Sequence, residues 1–341
     1  LRHQLRQLKL DAYITFDFSD VCYLRGFPSE GCFLLASRAG DWMFSPLLLA
    51  EHARAHVKSD PGLKIVAERE LLKSMQELCK KHSLKRIGFD TDKVVHSLYG
   101  ALTRFPGVKW IPQPGLILRQ RMIKDESELS AIRRACHITH DSAMKCFKSL
   151  KPGQTEKDVS NHISNLFFDG GSPKVAFETI VAFGSNAAFP HHVVSDKRLK
   201  RNSAVLLDMG CMVDGYRSYL TRASFFGKIT RKYQQIFSIV DTAQKEGVAA
   251  VREGVSAGKI DWICREVIRK SGYGDFFVHG TGHGVGLDIH EPPRLGINSQ
   301  EILKEGMIVT VEPGIYLPGE FGVRIEDSLL VKKNGCEILT K

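Results

Sequence analysis

The chain has 341 residues, 43% apolar and 25% charged, with 48 Lys and Arg against 38 Asp and Glu, a formal charge of +10. These proportions exclude a disordered, collagen-like or coiled-coil chain and suit two domains, each with its own core. No uncharged apolar run approaches the roughly 20 residues that a membrane-spanning helix needs.

Residues 1–8 alternate apolar and basic side chains, which predicts a surface helix and not a secretory signal. The chain opens on Leu1, so a few native residues are expected to precede it. A strand is expected over 12–16, a hairpin over 32–36 and 41–44, a Leu- and Lys-rich helix near 70–82, and a strand over 86–90. Pro106, Pro112 and Pro114 mark 106–124 as a linker. Residues 1–118 are thus expected to form a small α/β domain, and 119–341 a second one. The eight cysteines are scattered without a Cys-x-x-Cys pair, as in reduced core thiols of a cytoplasmic protein. The densest basic cluster, Lys197-Arg198-Leu199-Lys200-Arg201, is too short to trace a phosphate backbone. It reads as a solvated face, and no nucleic acid or membrane partner is expected.

The second region opens on Asp125-Glu126-Ser127-Glu128, a capping box, followed by a helix with Leu129, Ile132, Cys136 and Ala143 towards one side. Residues 150–159 then line up with 251–260. In each, a helix ends near a basic residue and Gly, and Thr155 or Ser256 caps the next helix. This predicts a duplicated helix–helix–sheet unit around a pseudo-twofold axis, an α+β architecture.

Three carboxylates stand in otherwise apolar strands: Asp208 in 203–210, Glu312 in 308–314 and Glu326 in 322–329. An Asp-Gly turn follows the first; centred on Val213-Asp214, it would set residue 219 opposite Asp208. Alternation places Arg324 and Glu326 on one face. The segment 279–291 carries His279, His283 and His290 among four glycines, which let backbone pass close to a neighbour. Buried carboxylates near a histidine call for a counter-ion, and a divalent metal supplies it. Oxygen-rich ligation with one imidazole leans towards Mn, with Co, Zn or Fe as alternatives.

These segments resemble the creatinase/aminopeptidase P/prolidase family, which has the pita-bread fold and splits Xaa-Pro bonds with two metals. The resemblance runs through 123–129, 177–192, the Asp208 hairpin, 279–291, 312–316 and 324–327, with 10–12 and 23–27 resembling the family's smaller domain. It implies Asp208, His283, Glu312 and Glu326 as metal ligands, with Glu312 also the general base. It implies His191 as a proton-handling residue and His290 as the contact to the substrate carbonyl. His279, Tyr316 and Arg324 resemble substrate-pocket residues, the last two also orienting ligands. One position departs: where the family reads Gly-Tyr-x-Ser-Asp-x-Thr-Arg, this chain has Tyr219 for the fifth-ligand Asp. One strong metal site is therefore expected instead of two. The implied activity is a metallo-aminopeptidase acting on peptides with proline second, in which water activated by the metal is the nucleophile. The alternatives are an Xaa-Pro dipeptidase or a catalytically impaired binding protein, and the family implies a homodimer.

Overall fold

The strands expected near the N-terminus form as β1 (Ala12–Thr15), β2 (Phe33–Ser37) and β3 (Asp41–Ser45) of the computed structural model, which describes residues 1–27, 30–38, 40–57 and 62–341. With β4 (Leu63–Ala67), β5 (Arg86–Phe89) and β6 (Lys109–Pro112) they form one sheet of order β4-β3-β2-β1-β5-β6. Neighbours β1–β2 and β2–β3 run antiparallel, and the other pairs run parallel. Ile14, Leu35, Phe44 and Ile87 enter one apolar cluster, while Leu34, Ala36 and Met43 enter another. Both faces are covered, which is why these strands read as continuous apolar runs. The helices are α1 (Arg2–Gln7), α2 (Phe18–Arg25), α3 (Ala50–His56), α4 (Leu71–Lys81), α5 (His96–Leu102) and α6 (Leu118–Arg121). The expected linker is different in kind. Residues 109–112 are an edge strand and 118–121 a helical turn, and the first compact unit runs to Arg121. Pro112 ends that edge, where a missing N–H costs the ladder least.

The second unit, Met122–Lys341, begins with α7 (Glu126–Ser149). Glu128 N–H donates to Asp125 Oδ1 at 2.9 Å and Asp125 N–H to Glu128 Oε2 at 2.8 Å, so both halves of the box form. Leu129, Ile132, Cys136 and Ala143 are all buried, and each such Leu or Ile contributes about 1.5–3 kcal/mol. After α8 (Glu156–Asp169) come β7 (Lys174–Val175), β8 (Ile180–Phe183), β9 (Ser203–Met209), β10 (Cys211–Val213), β11 (Tyr216–Arg217) and β12 (Leu220–Phe226). The second half runs α9 (Arg231–Ala250), α10 (Ala257–Lys270), β13 (Gly282–Gly284), β14 (Glu291–Leu295), β15 (Ile308–Val311), β16 (Gly314–Leu317), β17 (Phe321–Arg324), β18 (Asp327–Lys332) and β19 (Gly335–Ile338).

The halves repeat down to single bonds. Thr155 and Ser256 cap α8 and α10, and Gly153 and Gly254, at φ 88° and 82°, precede them. Gly153 N–H donates to Leu199 O, and Gly254 N–H to Leu303 O, at 2.9 Å in each case. In the Lys197 cluster Arg198, Lys200 and Arg201 are exposed, as a solvated face requires, while Lys197 is half-buried. Lys197 Nζ donates to Ser185 Oγ at 2.8 Å and Asn186 Oδ1 at 3.2 Å, and Arg198 donates to Gly153 O. All eight cysteines are free thiols. No helix among the described residues is long and apolar enough to cross a membrane.

Candidate metal and active site

Asp208 lies near the end of β9, between β8 and β12. The turn beyond it is centred one residue later than expected: Asp214 and Gly215, at φ 51° and 86°, are its central pair, and Val213 pairs with Tyr216. Both central residues need positive φ in such a turn, which favours Asp-Gly over Val-Asp. The register shifts accordingly, and Thr221, not Tyr219, faces Asp208. The expectation for Glu326 also changes. Strand β17 ends at Arg324 and β18 starts at Asp327, so Glu326 occupies a break, bridged to Thr221. Arg324 and Glu326 nevertheless line one cavity of about 1040 Å³, together with Asp208, Tyr219 and the histidines 191, 279, 283 and 290.

On its wall His283, Glu312 and Glu326 offer ligand atoms that all lie within 4.8 Å of one another. A Cβ on Gly282 would stand 2.1 Å from Thr310 O, so only glycine lets this strand pass so close to β15. His283 Nδ1–H donates to Gly284 O at 2.9 Å, which leaves the Nε2 lone pair open, 3.7 Å from Glu312 Oε1. Thr310 Oγ1 donates to Glu312 Oε1 at 3.1 Å, and Thr221 Oγ1 to Glu326 Oε2 at 2.8 Å. Burial pushes the Glu312 carboxyl up to about 7, with Asp208 adding to the rise and Arg324 opposing it. Burial, then Glu312 and Asp208, raises Glu326 well above the ordinary carboxylate range. Burial lowers His283 to about 4, so its imidazole is neutral and available as a ligand at pH 7. Two buried acids short of counter-charge beside a neutral imidazole fit a divalent cation. Asp208 stands apart from the three: Arg324 Nη2 donates to its Oδ2 at 2.5 Å, while its buried Oδ1 has no hydrogen-bond partner.

The three residues expected to bind substrate are joined in one hydrogen-bonded chain. Arg324 Nη1 donates to Tyr316 Oη at 2.8 Å, and Tyr316 O–H donates to His279 Nε2 at 2.7 Å. His279 Nδ1–H is taken by Gly280 O at 2.7 Å, so both ring nitrogens are occupied. Burial and the Arg324 charge lower His279 to about 4. This relay braces Asp208 and leaves Tyr316 buried with a committed hydroxyl. His191 and His290 are exposed to the cavity, and the His290 ring stands edge-on to His283 with centroids 4.5 Å apart. Tyr219 commits its hydroxyl to Ile289 O instead of the carboxylates, and burial raises its phenol above the ordinary range, so it stays protonated.

Two buried acids that sequence reasoning passed over organise the loops around this centre. Glu156, fully buried, accepts from Phe183 N–H, Asn186 Nδ2, His192 Nε2 and both the N–H and Oγ of Ser195 at 2.6–3.0 Å, which pins the segment bearing His191. Asp261 accepts from Thr281 N–H and Oγ1 at 3.0 Å and pairs with Arg265, whose Nη2 donates to His279 O at 2.8 Å. In sequence Glu156 looks like an ordinary acid in a helix's first turn; its burial was the missing signal.

A family model described as metallopeptidase family M24 matches residues 130–333. The chain belongs to metallopeptidase family M24. A second model, the creatinase/prolidase N-terminal domain, matches residues 1–123. The family is thus the creatinase/aminopeptidase P/prolidase group, with a small N-terminal domain before an α+β pita-bread domain. A protein named Xaa-Pro dipeptidase from Pyrococcus horikoshii is 34% identical over 335 residues, 97% of this chain and 93% of that protein. The solved Xaa-Pro dipeptidase from Bacillus anthracis superposes with a TM-score of 0.94 at 32% identity, covering 100% of this chain and 95% of that one. The X-Pro aminopeptidase from Thermotoga maritima MSB8 gives 0.90 at 30% identity, over 99% and 97%.

Proposed function

We propose that this chain hydrolyses the bond between an N-terminal residue and proline, with dipeptides as preferred substrates, at a single divalent cation. The observation that carries the reading is the His283–Glu312–Glu326 cluster in a cavity shared with His191 and His290. A cation held by those three residues, with Asp208 beside them, would polarise the scissile carbonyl and acidify a water, Mn suiting the oxygen-rich set first. Glu312 would take the proton from the attacking water. His290 and His191 hydrogen-bond the carbonyl oxygen as it gains charge, and the proton that Glu312 took passes by way of His191 to the departing proline nitrogen. Arg324 and Tyr316 keep Asp208 facing the centre. A phenol bonded elsewhere does not replace a carboxylate ligand, so one metal position is retained and the second is lost.

Preference for dipeptides is supported by the Pyrococcus and Bacillus relatives and by Arg294 on the cavity wall. Its guanidinium forms no ion pair among the described residues, and a free proline carboxylate would supply one. The test compares Ala-Pro, its C-terminal amide and Ala-Pro-Ala in Mn buffer. Ala-Pro is expected to be cleaved fastest, and Arg294→Gln to raise its KM about tenfold with little change for the amide. Equal cleavage of the tripeptide would return the chain to the aminopeptidase class. No cleavage of any peptide would favour an impaired binding protein.

A further inference from the structure

Position 219 offers the centre no carboxylate, yet its side chain is fully engaged. The Tyr219 ring stacks on Phe177 with centroids 5.1 Å apart and meets His283 edge-on at 4.9 Å. Its hydroxyl donates to the carbonyl of Ile289, the residue directly before His290.

We propose that Tyr219 is a positioning residue for His290, holding the end of the 286–290 segment so that the imidazole faces the metal cluster. The proposal rests on the catalytic reading of His290 given above. Among the described residues no hydrogen bond reaches the His290 ring, and its ring contact is the edge of His283. The direction of the imidazole therefore depends on the backbone that carries it. That backbone lies between β13 and β14, outside regular structure.

Its first half is anchored elsewhere. Arg217 N–H donates to Gly286 O at 3.0 Å and Arg217 Nε to Leu287 O at 2.9 Å. Glu291 Oε1 accepts from Leu287 N–H at 2.8 Å and Asp288 N–H at 3.1 Å, while Lys124 Nζ lies 3.5 Å from Glu291 Oε2. These bonds stop two residues short of His290, and the Tyr219 hydroxyl covers the remaining gap at Ile289. A buried phenol needs an acceptor, and this one sits where fixing it steers a histidine. Tyr219 thus trades a metal ligand for loop order. That trade keeps the carbonyl contact while one metal position is given up.

The test is Tyr219→Phe, which keeps both ring contacts and removes only the donor. Amide hydrogen exchange of the 286–290 segment is the deciding measurement, with steady-state kinetics on Ala-Pro beside it. Exchange is expected to speed up in that segment and not in the rest of the unit. The kcat is expected to fall about tenfold or more, with KM within about threefold of the parent, as misaimed catalytic groups do. Metal content per chain is expected to stay the same. Unchanged exchange together with parental kcat would overturn the proposal. If the parent cleaves no Xaa-Pro peptide, the functional reading fails separately. Exchange alone then decides: faster in the segment supports the positioning role, and unchanged removes it.

Discussion

Glu312→Gln lowers Ala-Pro hydrolysis by about a thousandfold or more, the largest effect on activity that this site predicts. Gln keeps the volume and one carbonyl oxygen towards Thr310, whose Oγ1 lies 3.1 Å from the native carboxylate. It cannot take a proton from water, and it removes one of the two charges that the cluster presents to a cation. The loss should appear in kcat at saturating Mn, with circular dichroism unchanged. Activity within about tenfold of the parent would reassign the base. His283→Ala would also abolish activity, but through metal loss, which separates ligand from base.

Glu156→Ala destabilises the second unit by about 3–5 kcal/mol, the largest effect on stability. All five groups that Glu156 accepts from would then lose that acceptor, in a pocket buried at Phe183 and half-buried at Asn186, His192 and Ser195. For a unit of this size such a loss is worth about 10 °C in melting temperature. Urea unfolding of parent and variant measures it. A change below about 1 kcal/mol would mean that water satisfies these groups as well as the carboxylate does.

What could be read from the residues alone follows the range of the interaction. The caps at Asp125, Thr155 and Ser256 close bonds over three positions, so the helix starts and the repeat between halves were visible in the string. The hairpin was visible as a turn, but its centre depends on which residues take positive φ. Choosing Val213-Asp214 over Asp214-Gly215 displaced the partner of Asp208 from Thr221 to Tyr219. The error is two residues, a full pleat, so the displaced residue still lines the same cavity. The three acids stood out because apolar strands rarely hold them. The Arg324–Tyr316–His279 relay was not legible as a brace, because a motif names residues and not the direction of their hydrogen bonds. Glu156 and Asp261 were hidden for a different reason: the loop groups they hold lie 20–39 residues away on other elements.

The proposed one-metal centre is held by His283, Glu312 and Glu326, with Tyr219 where the family resemblance implies a fifth-ligand Asp. Metal-free protein titrated with Mn by calorimetry, with content checked by elemental analysis of the same sample, tests it directly. About one tight equivalent per chain is expected, lost in Glu326→Gln and joined by a second in Tyr219→Asp. Two tight equivalents in the parent, or none, would contradict it.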